Sequence, residues 1–170
     1  MTRAGSILEP SKNAPVTVSE LSGFDDWSQL LALILRSFAS MEGRIDPPSS
    51  ALALTPQSLK HKADSEKVLL AYQQERLVGC AFLANRGDHV YLGKLAVDPD
   101  CQGRGIGRAL MDAAERHALA SGVTMLELQT RIELVENHRA FERLGFRETE
   151  RTAHAGFERH TSLTMRKALS

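Results

Sequence analysis

Leu95-Ala96-Val97-Asp98-Pro99-Asp100-Cys101-Gln102-Gly103-Arg104-Gly105-Ile106-Gly107-Arg108 is the stretch on which the reading of the fold turns. It opens as the end of a strand, Val90 to Val97, which Asp98-Pro99 stops because proline offers no N–H to a ladder. Gly103, Gly105 and Gly107 let the backbone approach a ligand closely. A helix follows from about Gly105 to Ser121, with Ile106, Leu110, Ala113 and His117 along one face and Gly122 placed to end it. The first N–H groups of a helix have no intrahelical partner, and the aligned peptide dipoles put partial positive charge there. Such a turn binds phosphate or pyrophosphate, and Arg104 and Arg108 add charge to the same place. Two other glycine motifs fail. A Walker A loop needs Gly-Lys-Ser/Thr, but Gly107 is followed by Arg108 and Ala109; the dinucleotide fingerprint needs a third glycine where Arg108 stands.

Working outward, Thr124 to Thr130 reads as a buried strand, so strand, turn, helix and strand form a crossover with its two strands parallel. Upstream, Val68–Gln73, Leu77–Asn85 and Val90–Val97, joined at Gln74-Glu75 and Gly87-Asp88, read as an antiparallel meander. Before them come a short strand at Val16–Val18 and a helix capped by Asp25 or Asp26 that runs to about Ala39. Trp27, Leu30, Leu31, Ile34, Leu35 and Phe38 make that helix's buried side. Met41 to Ser50, with Pro47 and Pro48, is a loop, and Thr55-Pro56 opens a helix to about Ala63. Downstream, a helix within Glu133–Leu144 ends at Gly145, and strands near Phe146–Thr152 and His160–Met165 follow. The fold class is α+β: a mixed, mostly antiparallel sheet flanked by helices. Residues 1–13 read as a flexible tail and 14–170 as a single domain.

A chain of 170 residues, 42% hydrophobic and 25% charged, can build one real core. Lys plus Arg (21) balance Asp plus Glu (21), which argues against a nucleic-acid coat. The longest apolar run, Leu30 to Leu35, is far short of a membrane span, and no secretory signal is visible. Cys80 and Cys101 make no disulfide scaffold, and the 6 histidines show no metal-ligand spacing. The expectation is a soluble, cytoplasmic protein without a metal, acting on neither nucleic acid nor membrane.

Gln102-Gly103-Arg104-Gly105-Ile106-Gly107 resembles the Q/R-x-x-G-x-G/A motif of the GNAT N-acetyltransferase superfamily. Val97-Asp98-Pro99 before it and Arg108-Ala109-Leu110-Met111 after it fit the usual flanks. Asn137-His138-Arg139-Ala140 and Phe141-Glu142-Arg143-Leu144-Gly145-Phe146 look like that family's fourth-helix signature, and the order of elements agrees from about Val16 to Met165. The resemblance implies the acyl-CoA N-acyltransferase fold, binding of acetyl-CoA, and direct acetyl transfer to an amine of a small molecule or peptide, with CoA as product. By position, Gln102, Gly103, Arg104, Gly105, Ile106, Gly107 and Arg108 would hold the pyrophosphate. Leu95, Ala96, Val97, Gln129, Thr130, Asn137 and Phe141 would line the pantetheine arm. The Leu95 backbone N–H would polarise the thioester carbonyl, with Gly93 as the site of a bulge that aims it.

The chain departs from the pattern at Phe141, where many members carry a tyrosine as general acid. For the base, Tyr91 shares a strand face with Gly93 and Leu95 by pitch, and Glu127 is a second candidate. Against these stand a core role for Tyr91 and an ion pair for Glu127. Glu42 and Asp46 would hold an acceptor ammonium, Arg44 a carboxylate, and His154 would line the acceptor cleft. A catalytically weak CoA-binding sensor or scaffold, and a nucleotide-binding protein, are the alternative readings. Homodimerisation through an edge strand is left open.

Overall fold

The computed structural model describes residues 11–170. Of the tail expected over 1–13, residues 1–10 lie outside the described residues; Ser11 to Ala14 form a turn, and Ser11 N–H donates to Gln74 Oε1 at 2.9 Å. The elements run β1 (Val16–Glu20), α1 (Trp27–Phe38), α2 (Pro56–Ser65), β2 (Lys67–Gln73), β3 (Arg76–Asn85), β4 (Val90–Val97), α3 (Ile106–Ala120), β5 (Met125–Arg131), α4 (Val135–Arg143), β6 (Arg147–Thr152) and β7 (Ser162–Ala168). The strands form one 7-stranded sheet in the order β1-β2-β3-β4-β5-β7-β6. Among the described residues, only β4 and β5 pair in parallel, across the α3 crossover. The α+β fold with a mixed, mostly antiparallel sheet is therefore the one observed.

Local chemistry explains the boundaries. Asp26 caps α1 by accepting from Gln29 N–H at 3.1 Å. Thr55 and Ser58 cap α2 reciprocally, with Pro56 in the first turn. Gln74 and Glu75 turn the β2–β3 hairpin with φ of 49° and 65°, the left-handed geometry that matches strand twist. β5 differs from its expected continuous burial. Leu126, Leu128 and Thr130 face inward and alternate with Glu127 and Gln129, because only one face of β5 lies on the core.

Two cores sandwich the sheet. One lies under α3 and includes Val78, Leu83, Leu92, Ile106, Leu110, Leu128 and Phe146. The other lies under α1 and α2 and includes Leu30, Leu33, Ile34, Leu59, Leu70 and Phe82. Leu33 joins this core, whereas Leu31 and Leu35 of the expected set are only half-buried. Each fully buried Leu or Phe contributes about 1.5–3 kcal/mol. Gly79 sets how closely α3 sits: a Cβ there would meet Ile106 Cγ2 at 2.9 Å and Ala96 O at 3.1 Å. The start of α3, and the turn before it, are thus pressed onto β3 and β4.

Candidate active site

β4 and β5 pair in register only at Val90↔Leu126 and Tyr91↔Glu127, and beyond these residues the parallel ladder stops. On the other side of β4 the ladder slips. Gly93 pairs with Phe82 and Ala96 with Cys80, so Lys94 and Leu95 together face Ala81. Lys94 takes φ of 49°, making it the bulge residue. Leu95 therefore has a register partner on neither neighbouring strand.

The bulge falls one residue beyond the expected Gly93, and this changes which way the strand faces. Before it, Leu92 lies in the α3 core, while Gly93 sits on the α1–α2 side with Phe82. After it, Leu95 and Val97 pack on the α3 core, and Ala96 joins the α1–α2 core. Tyr91 shares a face with Gly93, whose added Cβ would touch its ring at 3.4 Å. It does not share one with Leu95, as simple alternation predicts. The Arg86 guanidinium lies over the Tyr91 ring at 5.1 Å, and burial pushes the Tyr91 hydroxyl up from 10.0. Tyr91 therefore keeps its proton at neutral pH.

The glycine turn is anchored from below. Asp98, 1% exposed, accepts from Arg36 at 2.7 Å and from Arg76 at 3.1 Å. It also accepts from Asp100 N–H at 3.0 Å, and its own N–H donates to Val78 O at 2.8 Å. Nothing in the sequence signals this pairing, because the arginines lie on α1 and at the start of β3. Gly103 and Gly105 both have φ of 78°, with open space where a Cβ would stand. Ala109 is the first internal donor of α3, bonding Gly105 O at 2.9 Å. The N–H groups of Ile106, Gly107 and Arg108 before it have no intrahelical acceptor. Arg108 is exposed beside them. Arg104 turns inward, against expectation: its guanidinium donates to Gln73 Oε1 at 3.1 Å and to Asp100 O at 3.4 Å. Cys101 is buried below, and burial raises its thiol; the same cause pushes Cys80 up to about 12.

Across the seam, Thr130 is buried, and its Oγ1 finds no partner among the described residues. A buried hydroxyl without a partner thus lies on β5 beyond the point where its pairing with β4 stops. This is the polar lining that the amide-bearing arm of a CoA thioester fits. Gln129 is exposed, with Nε2 3.4 Å from Thr164 Oγ1. Asn137 is half-buried in the first turn of α4. Phe141 packs edge-on against Phe146, centroids 6.0 Å apart, and belongs to the α3 core. His138, which sequence reasoning passed over, bonds Arg131 O through Nε2 at 2.8 Å and ties α4 to the end of β5. Glu127 is held by Arg166, both nitrogens at 2.8 Å, with His89 Nε2 at 3.6 Å, which is the ion-pair role.

The loop between α1 and α2 spans the mouth of the seam. On the β4 side, Lys94 Nζ donates to Ser50 Oγ at 3.1 Å. On the β5 side, Arg131 Nη2 donates to Pro48 O at 3.2 Å, and its buried Nη1 has no partner among the described residues. Arg159, from the β6–β7 connection, donates to Asp46 O at 3.0 Å and pairs with Glu133 at 3.4 Å. Asp46 also pairs with Arg159, and Arg44 with Glu136, so both brace the loop instead of standing open to an acceptor. Glu42 lines a cavity at the loop's base. His154 is held by Thr161 through both its N–H and Nδ1. Burial, then nearby Arg131, lowers its pKa from 6.5 and leaves it neutral at pH 7. Lys94 is half-buried with its pKa lowered, first by burial and then by Lys62, while Glu66 opposes. Among the described residues, no cluster of three His, Cys, Asp or Glu could hold a metal, and no helix is long and apolar enough to cross a membrane.

A split mixed sheet, a bulged strand residue outside both registers and a glycine turn feeding a helix define an acyltransferase that works on CoA thioesters. The chain belongs to the acetyltransferase (GNAT) family, whose model matches residues 27–146. It is an acetyl-CoA-dependent N-acetyltransferase, with acetyl-CoA as donor and CoA as product. Solved structures share the fold at low identity. PaiA N-acetyltransferase from Thermoplasma acidophilum, in complex with coenzyme A, is 17% identical over 91% of this chain and 99% of its own, with a TM-score of 0.77. An acetyltransferase from Streptococcus agalactiae is 22% identical over 91% and 98%, TM-score 0.70. A GNAT family acetyltransferase from Elizabethkingia anophelis with acetyl-CoA bound is 17% identical over 91% and 98%, TM-score 0.65. No curated protein matches the chain.

Proposed function

We propose that the chain acetylates a primary amine by direct transfer in the opening between β4 and β5, under the 42–50 loop. The observation that carries this reading is Leu95, left without a register partner on either neighbouring strand by the Lys94 bulge just upstream of the glycine turn. Acetyl-CoA supplies the acetyl group as an activated thioester. The N–H groups at the start of α3, with those of Gln102 to Gly105, hold the pyrophosphate, and Arg108 adds a charge at the rim. Arg104 contributes its backbone there, its side chain being committed to Gln73. Leu95 to Val97, with Gln129 and Thr130 opposite, line the arm, and Asn137 borders it from α4. Leu95 N–H donates to the carbonyl oxygen as negative charge develops on it.

Direct transfer is favoured because neither thiol is poised as a relay: both are buried and held protonated. Phe141 has no proton to give, so the leaving thiolate takes one from water. Tyr91 and Glu127 are not the base. Lys94, beside Lys62, already has a lowered pKa at this site, and a bound ammonium meets the same burial and like charge. The acceptor thus sheds its proton to solvent before it attacks. The two free buried cysteines suit a cytoplasmic setting. The exposed edges β1 and β6 are where a second copy would add, though Arg147, Glu148, Glu150 and Arg151 discourage pairing at β6.

The test is thermal unfolding with and without saturating acetyl-CoA, with NAD and ATP as controls, followed by thiol release with amines. At about 100 times its dissociation constant a ligand adds about 2.7 kcal/mol, roughly 5–10 °C for a chain of this size. A shift with acetyl-CoA alone plus amine-dependent thiol release is expected. A shift without turnover on any amine would return the sensor reading, and no shift would remove the glycine turn from the site.

A further inference from the structure

Resting on that reading, the geometry points to an acceptor whose amine carries an apolar tail, seated in a cavity at the base of the 42–50 loop. The cavity measures about 320 Å³ and is walled by Phe38, Met41, Ile45, Pro48, Ala51 and Leu52. Among its lining residues Glu42 alone is charged. Both walls are tied to the strand on either side of Leu95. Ser49 and Ala51 flank Ser50, which accepts from the bulge residue Lys94 at 3.1 Å. Phe38 follows Ser37, whose Oγ accepts from Val97 N–H at 3.2 Å. The cavity walls are therefore continuous along the chain with Ser37 and Ser50, the residues that touch β4 on either side of Leu95.

Size and chemistry narrow the occupant. At about 30 Å³ per liquid water, the cavity has room for about ten atoms of that size, an alkyl chain or one aromatic ring. It lies at the small end of ligand pockets, about 300–1,000 Å³. A second ammonium has one carboxylate to meet in an otherwise apolar wall, and Lys94 and Lys62 stand nearby on the sheet side. The arginines that rim the loop are already turned to Pro48, Asp46, Glu133 and Glu136. An unbranched or aryl-alkyl monoamine fits, and a polyamine does not.

The experiment is a homologous series of straight-chain primary amines, ethylamine to octylamine, assayed by thiol release at saturating acetyl-CoA. Their ammonium groups share nearly one pKa, so chain length changes burial and little else. Each methylene that enters the cavity should raise kcat/KM about three- to fourfold, with a plateau once it is full. Spermidine should stay at least about tenfold below hexylamine. Leu52, 57% exposed, can be changed without touching the core. Leu52→Glu should flatten the series, leave the acetyl-CoA KM and the unfolding temperature in place, and abolish the thermal shift that hexylamine gives without acetyl-CoA. A flat series in the unaltered protein, or spermidine as the better substrate, overturns the apolar-tail assignment while acetyl transfer stands. No thermal shift with acetyl-CoA and no thiol release on any amine overturns the functional reading, and this inference with it.

Discussion

The turn at 102–108 and the loop at 42–50 border the same opening, but they are built differently. The turn presents main chain: glycines in left-handed geometry and the first N–H groups of α3, resting on a buried carboxylate between two arginines. The loop presents side chains and holds its place through Lys94–Ser50, Arg131–Pro48 and Arg159–Asp46. A site made of main chain suits a partner that never changes, because peptide dipoles cannot be exchanged by substitution. A site made of side chains on a braced loop can be retuned residue by residue without disturbing the sheet.

That contrast can be broken in order of severity. Gly105→Glu puts a side chain at φ of 78° and a negative charge in the turn proposed to hold the pyrophosphate. It should weaken CoA more than about 100-fold in calorimetric titration, and unchanged affinity would sink the assignment of the turn. Arg159→Ala removes the β6–β7 side chain that holds loop residue Asp46 and joins it to Glu133. The amine KM should rise about fivefold, with the CoA dissociation constant within about twofold; equal losses on both would erase the distinction between the two regions. Lys94→Met acts at the residue that joins them. The folded-state pKa of Lys94 lies below its unfolded value of 10.5, so the charged form costs stability at neutral pH. That cost is relieved as pH rises through the folded pKa toward 10.5. Scans from pH 7 to 10.5 should therefore show the unaltered protein gaining on the variant; a constant gap would mean Lys94 is not held uncomfortably in its pocket. The smallest effect belongs to Tyr91→Phe, which should change kcat by less than about twofold at every pH, whereas a lost pH limb would restore Tyr91 as a proton-transfer group.

The same contrast explains what the sequence made legible. Glycines at 103, 105 and 107 and the proline before them constrain backbone directly, so strand, turn, helix and parallel crossover could be placed to within about two residues. The Lys94 bulge was not legible. Gly93 is the residue that takes a bulge at least cost, yet the pairing of Ala96 with Cys80 and Gly93 with Phe82 forces the extra residue into the next position. The face of Tyr91 relative to Leu95 went wrong with it, because one inserted residue reverses every side chain that follows. The roles of Arg44, Asp46 and Arg104 were hidden for another reason. Each finds its partner across a long stretch of chain, at Glu136, Arg159 and Gln73, and no local spacing encodes such a meeting.

The parallel pairing between β4 and β5, limited to two register positions, makes the seven strands cohere as two plates, β1–β4 and β5–β7–β6. The weakest line of the sheet is thus the line along which the proposed acetyl transfer runs. Few ladder positions join the plates there, and the core under α3, which draws residues from both, supplies the rest of their cohesion. Whatever bridges the two plates from within acts as mortar for the whole wall.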